Sequence, residues 1–454
     1  MRRIIPPPFA FLIILLLHNQ SSYGQIDSGA KGEIDFLSTG LPVLIIETVD
    51  KKNVESKFDY LKSMIVIIES GDTIMHDSVL IRGRGNSTWN QPKKQYKLKF
   101  YDGKDFFGFK KNKHFALVGN YVDKSLMRNA IGLKLSEILD FPWSPKGEYV
   151  ELVINGDHLG TYMLCETVRE GKNRISIDKT GFFVEDDWHY LSEPVYFVSK
   201  EYKYGFSFKY PDEDDLDEMS FQYIENTINS FECMLKDYES FGSHDYLNEI
   251  DVESFARYFY HANVLMNMDP NRWYVKYDNT GESKIQMGPP WDFEWCIGTG
   301  WYNGDQHRNP NHELVAKSYL TVIMDDPIFM KKVAELHKKY RERITNQVLS
   351  YYDILKDYLA KSAELNFKRW DILDEEITFH HKPCGSWLEE VNCDIDFFKN
   401  HQLWLDLVLD PYITGISEPL FIKNNSTYTI YGQRVLKAEK PGIYIINKQK
   451  IVVN

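Results

Sequence analysis

Asn267-Met268-Asp269-Pro270-Asn271-Arg272-Trp273-Tyr274, followed by Gly288-Pro289-Pro290-Trp291-Asp292-Phe293-Glu294-Trp295, is the stretch on which the reading of this chain turns. Ahead of it, Phe255, Tyr258, Phe259, Ala262 and Leu265 recur at helical spacing, so a helix delivers the first acid into a loop. Between the two halves, Trp273 to Tyr277 and Lys284 to Met287 flank Asn279-Thr280-Gly281 and predict a short hairpin. A second acid then sits between aromatics. Phosphoryl transfer needs such a pair: one carboxylate accepts a hydroxyl proton and another holds Mg²⁺ against phosphates. An isolated Trp-Asp-Phe-Glu reads equally well as a tight aromatic turn with solvated acids, so the surrounding sequence has to decide.

Working toward the N-terminus, Val43 to Glu47, Ser63 to Ile68 and Leu80 to Arg84 are rich in Val and Ile and bounded by turn residues, as strands are. Gln95 to Phe100 alternates Tyr96, Leu98 and Phe100 with Lys97 and Lys99, the period of a half-buried strand. Met127, Ile131, Leu135 and Ile138 share one face of a helix predicted over Ser125 to Leu139, which Pro142 stops. Tyr149 to Ile154 and Gly160 to Glu166 are strands joined by Asn155-Gly156, a hairpin signal. From Met219 onward helices dominate, including one through Phe329, Val333, Leu336, Tyr340, Ile344 and Val348. Segregated strands and helices predict the α+β class.

Four ordered segments resemble the CotH family of spore-coat-type, atypical protein kinases over roughly Val43 to Tyr302. The first is Arg82-Gly83-Arg84-Gly85-Asn86-Ser87-Thr88-Trp89 with Pro92-Lys93-Lys94-Gln95-Tyr96-Lys97, a glycine-containing turn before a basic strand. Such a turn can cradle phosphate and a strand lysine can neutralise it. The second is Asn120 to Asn129, with Asp123 as the expected helix cap. The third is Asn155-Gly156-Asp157-His158-Leu159-Gly160 through Glu166, and the fourth is the acidic stretch above.

The resemblance implies a two-lobed kinase-like domain that uses ATP and Mg²⁺ to phosphorylate Ser or Thr hydroxyls of a protein substrate. It implies Asp269 as base and Asp292 as metal ligand, with Asn271 and Glu294 assisting. Relatives commonly carry Asp where this chain has Glu294, whose longer reach changes the coordination geometry. Lys94 is the favoured phosphate-binding lysine and Lys97 the alternative by strand alternation. Glu166 stands where a hinge residue would contact nucleotide, and Glu137 where a helix glutamate would pair with the lysine. A non-catalytic surface scaffold on the same fold is the rival reading. Glycoside hydrolysis by paired carboxylates fits neither the helix-then-hairpin order nor the basic strand.

The ends of the chain speak to its destination. Met1-Arg2-Arg3, the apolar run Phe9 to Leu17 and Ser21-Ser22-Tyr23-Gly24-Gln25 form a signal-peptide pattern over residues 1–25. The run is shorter than the roughly 20 residues a bilayer requires, so the expectation is export to the periplasm, cell surface or exterior, with no membrane span in the mature chain. The main domain is expected over 30–410. Residues 411–454 read as a small β-module that resembles the C-terminal sorting-type modules of exported Bacteroidetes proteins, behind a linker near Thr414 to Glu418. A formal charge of −13 opposes nucleic-acid binding, which needs a concentrated positive surface. The 29 Tyr, 27 Phe and 10 Trp supply a large core and exclude disorder. Five cysteines show no zinc-ligand spacing, and Cys384 and Cys393 are close enough in sequence to bridge a loop.

Overall fold

Strands whose β-branched residues alternate with polar ones have one face to bury, and the first part of this chain buries it by closing a sheet on itself. A computed structural model describes residues 36–300, 309–311, 313–377 and 383–414, with strand segments at 427–429, 434–435, 442–446 and 449–453. The expected signal segment lies outside these residues.

Strands β1 (Val43–Thr48), β2 (Leu61–Glu69), β3 (Asp72–Arg84), β4 (Gln95–Lys104), β5 (Asn112–Val118), β6 (Gly147–Ile154) and β7 (Asp157–Glu166) form a barrel in the order β1-β2-β3-β4-β5-β7-β6. β1 closes it in parallel on β6. Ile46, Ile65, Ile67, Val79, Ile81, Leu98, Phe100 and Phe115 fill its interior at 0% exposure. Asn155 and Gly156 at the β6–β7 turn both take positive φ, 54° and 87°, which suits a tight hairpin and explains the Asn-Gly pair. β3 begins eight residues before the predicted Leu80. β5 went unread because its last four residues, Phe115 to Val118, are buried on both faces and show no alternation.

Helix α1 (Arg128–Ile138) lies against the outside of the barrel and joins a second, larger core with Ala116, Val118, Met163 and Cys165. That core belongs mostly to the later elements. Five strands form a second sheet, β12-β11-β8-β10-β9, from β8 (Phe182–Asp186), β9 (Tyr196–Val198), β10 (Gly205–Tyr210), β11 (Trp273–Lys276) and β12 (Gln286–Met287). Helices α2 (Glu218–Phe241), α3 (Val252–Val264), the short α4 (Leu320–Ile323), α5 (Pro327–Arg369) and α6 (Trp387–Thr414) complete the body. The mixed α+β class is as predicted, and none of the described helices is long and apolar enough to cross a membrane.

α5 is a 43-residue rod that touches both parts. Its C-terminal half binds the barrel: Ser362 Oγ lies 2.6 Å from Thr161 Oγ1, Lys93 Nζ donates to Asn366 Oδ1 at 2.7 Å, and Arg369 grips Asp157 with two bonds of 2.9 and 2.8 Å. Its N-terminal half packs on α3 through Phe329 and Phe259. The domain boundary expected at Pro411 falls inside α6, which continues to Thr414. Pro411 lies in the last turn and has no N–H to offer the Leu407 carbonyl four residues back, so the helix forgoes one bond just before it ends. Beyond, strands β13 (Thr427–Thr429), β14 (Arg434–Val435), β15 (Gly442–Ile446) and β16 (Gln449–Val453) form an antiparallel sheet, β14-β13-β15-β16. Apart from Thr414, the expected linker lies outside the described residues. Cys384 and Cys393 are disulfide-bonded at the start of α6, leaving Cys165, Cys233 and Cys296 free.

Arg128, 1% exposed, joins three of these pieces. Its guanidinium pairs with Asp123 at 2.6 Å and with Asp394 of α6, and donates to the carbonyls of Cys296 at 3.0 Å and Ile297 at 3.1 Å. Asp123 also accepts from the Arg128 amide at 2.8 Å, capping α1 from five residues away. Arg128→Met would leave two buried carboxylates without their cation, which costs about 3–5 kcal/mol. Chemical denaturation should show a loss of that size. A loss below about 1 kcal/mol would mean the carboxylates find other partners.

Candidate functional site

The register of β3 on β4 sets one side of the site. Arg82 pairs with Lys97 and Arg84 with Gln95, and residues two apart on a strand share a face. Arg82, Arg84, Gln95, Lys97 and Lys99 therefore line the outside of the barrel, opposite Tyr96, Leu98 and Phe100. Among the described residues none of the four cations is ion-paired to a carboxylate. Their mutual repulsion shows in Lys97: burial, then Arg82, Arg169 and Arg84, bring its ammonium down to about 8.

The other side comes from two loops sewn together. The Met268 amide donates to Trp295 O and the Ile297 amide to Leu265 O, both at 2.8 Å. Asn267 caps the first loop, accepting from the Asp269 amide at 3.1 Å. Asn129 of α1 accepts from the Phe293 amide at 3.0 Å and is itself held by Asn120. Phe293 packs flat on α1, where a Cβ on Gly132 would stand 2.2 Å from its ring, so only glycine admits the loop at that depth. Asp292 at φ 66° and Ile297 at φ 48° occupy the left-handed region, which is rare for a β-branched residue and is paid for by the surrounding bonds.

Asp269, Asp292 and Glu294 share one electrostatic environment. Asp269 and Asp292 are open to solvent, yet enclosing protein raises both carboxyls. Asp269 raises Asp292 further, while Arg84 opposes the rise. Glu294 is 2% exposed, and burial followed by Asp292 lifts it to about 8. Gln95 spans the two sides: its Nε2 donates to Glu294 Oε1 at 3.0 Å while its Oε1 accepts from Arg84 at 2.8 Å. Arg84 also lies over the Trp291 ring at 5.8 Å.

Asp292, Glu294 and Asn271 offer oxygen donors of the kind that a hard divalent cation takes. Glu294 Oε2 and Asn271 Oδ1 are buried with no hydrogen-bond partner among the described residues, a costly arrangement unless another group engages them. Among the described residues no three His, Cys, Asp or Glu side chains gather at metal-binding spacing. Mg²⁺ does not require three, since it commonly takes one or two carboxylates and completes its shell with phosphate oxygens and water.

Other expected residues stand elsewhere. Lys94 donates to Trp89 O at 2.7 Å and lies over that indole, so it faces its own turn, while Lys97 stands on the barrel's outer face among Arg82, Arg84 and Lys99. The glycines of that turn serve packing: a Cβ on Gly83 would stand 2.3 Å from the Trp89 ring and one on Gly85 2.0 Å from Thr88 Oγ1. Glu166 accepts from the Lys146 amide at 3.1 Å at the end of β7. Glu137 is exposed and pairs with Lys134, so it meets no phosphate-binding lysine. Sequence reading missed Arg82, Arg84 and Gln95 as site residues, although their parity with Lys97 across the β3–β4 pairing was the available signal.

Comparison with known proteins agrees on one family. The model described as CotH kinase protein matches residues 81–404. The Inner spore coat protein H of Bacillus subtilis (strain 168) is 25% identical over 272 residues, which is 56% of this chain and 69% of that protein.

The position of Glu294 carries a pH signature. Its carboxyl rises from 4.5 to about 8 on folding, so the native state holds an extra proton between those values and stability declines as pH rises through them. In divalent-free buffer, Glu294→Gln should gain on the wild type steadily from about pH 4.5 to about pH 8 and then hold level. Urea midpoints measured across this range will show it. A constant gap between the two proteins would place the raised carboxyl elsewhere.

Proposed function

Since the chain belongs to the CotH kinase protein family, we propose that it transfers the γ-phosphate of ATP to Ser or Thr hydroxyls of a protein. The observation that carries this reading is the seam itself: a strand face whose cations have no carboxylate partner among the described residues, with Gln95 bridging Arg84 to Glu294. In this reading the barrel is one lobe and the helical body the other.

Lys97, Arg82 and Arg84 bind the phosphates, replacing the repulsion among themselves with attraction. Asp292 would hold Mg²⁺ with Asn271 and Glu294 as further oxygen donors, and such an ion would neutralise charge on the phosphoryl oxygens. Asp269 orients the acceptor hydroxyl and takes its proton. The acceptor oxygen forms a bond to the γ-phosphorus as the bond from that phosphorus to the bridging oxygen breaks. The electron pair leaves on ADP and the proton stays on the Asp269 carboxylate.

Export is part of the proposal. The amino-terminal pattern predicts it, and the Cys384–Cys393 bond suits an oxidising compartment. The terminal sheet β13–β16 would then act as the sorting-type module.

Two variants separate binding from chemistry. Asp269→Asn keeps the shape and loses the base, so it should retain Mg²⁺-ATP affinity and transfer phosphate about 10²–10⁴-fold more slowly. Lys97→Ala should weaken Mg²⁺-ATP binding by about tenfold, the worth of one charge-assisted contact. Calorimetric titration and radiolabel transfer to Ser-rich peptides read the two effects. An unchanged transfer rate in Asp269→Asn would remove it as base, and wild type that binds no ATP would overturn the kinase reading.

A further inference from the structure

The sheet that the Asp269 loop enters through β11 carries an apolar ledge that the described residues leave bare. Trp188 is 78% exposed and Leu191 73%, and on β9 Tyr196 and Val198 turn outward while Phe197 between them is buried. Large apolar groups gathered on one rim mark a contact surface, where scattered ones do not. The ledge is also well built. Tyr190 meets Tyr196 edge-on at 5.2 Å, and its ring fills the space that a Cβ on Gly205 would take.

One arginine ties the ledge to the acid. The Arg272 guanidinium lies over the Trp188 indole, 5.4 Å from its centroid. Its Nε holds Asp186 at 3.3 Å, and its Nη1 stands 3.9 Å from Asp269 Oδ1. The indole is thus within about 10 Å of the Asp269 carboxylate, a span of roughly three residues of extended chain. A polypeptide with a hydroxyl at Asp269 would lay the side chain two or three residues away on Trp188.

We propose that Trp188, Leu191 and Tyr196 dock the acceptor polypeptide and select extended segments with an aromatic or branched aliphatic residue two or three positions from the acceptor hydroxyl. The identity of the occupant rests on the phosphoryl-transfer reading. Its polypeptide nature has separate support. β9 is the outermost strand of its sheet among the described residues, so a row of backbone donors and acceptors beside the ledge is open to an added strand. Selection is apolar because the ledge itself presents Trp188, Leu191, Tyr196 and Val198, and the Lys209 ammonium beside it is already engaged by Glu185 at 2.8 Å.

The test uses the full chain with Trp188→Ala and Trp188→Phe, against Ser peptides varied at each flanking position among Ala, Asp, Lys, Leu and Trp. Wild type should prefer Leu or Trp two or three residues from the serine. Trp188→Ala should raise KM for those peptides about tenfold and flatten the preference, with kcat and ATP affinity held, and Trp188→Phe should restore most of both. Transfer by wild type with equal KM in Trp188→Ala overturns the ledge and leaves the kinase reading standing. Labelling confined to the protein itself, rising with its concentration, would make the occupant a second copy and also overturn it. Should wild type transfer phosphate to nothing, the kinase reading fails, and fluorescence anisotropy of the same peptides still decides the ledge: weaker binding by Trp188→Ala supports it and equal binding overturns it.

Discussion

The buried guanidinium of Arg128 is the constraint from which much of this architecture follows. A cation without water must find all its partners in the protein or destabilise it. Here the partners come from the approach to α1, from α6 and from the two carbonyls that follow the Asp292 loop. Each of these segments is remote from the others in sequence, so the arginine is satisfied only when all of them have arrived. Hydrophobic burial alone would tolerate small slips of α6 along α1. A guanidinium with fixed donor directions does not, and this is how a polar group in a core can specify one arrangement.

The same logic reaches the acids. Phe293 seats on Gly132 and Asn129 fixes its amide, so the backbone on either side of Asp292 is clamped while its carboxylate stays open to solvent. Left-handed conformations at Asp292 and Ile297 are affordable only inside such a clamp. The loop therefore arrives already shaped, and little ordering remains to oppose a ligand that engages it.

Much of the element order could be read from the sequence. The strands with clean alternation, the Asn155-Gly156 hairpin and helices α1 and α3 lie close to where the sequence predicts them, and α5 starts as predicted but runs on to Arg369, because their apolar residues recur at the period of the element. β5 and β8 were not predicted, since burial on both faces erases the period by which a strand is recognised. Within the site, Asp269, Asp292 and Glu294 stood out because the two acidic segments resemble those of the CotH family, in order and spacing. The basic side was harder. Lys94 and Lys97 differ by strand parity alone, and Lys94 bends back to Trp89, a contact that only the folded turn creates. Arg82 and Arg84 acquire their meaning from pairing with β4, and register is a property of two strands that neither one reveals by itself.

The splint formed by α5 bears on timing. At 43 residues it is about 65 Å long and is fastened at one end to the barrel and at the other to the helical body. Two bodies fastened in this way cannot swing widely apart, so the seam has no large-amplitude door. Whatever enters or leaves must pass by rearrangement of short loops and side chains, motions of nanoseconds to microseconds rather than the slower rotation of whole domains. On the proposed phosphoryl-transfer reading, the residence of a ligand at the seam is then set by the contacts that hold it.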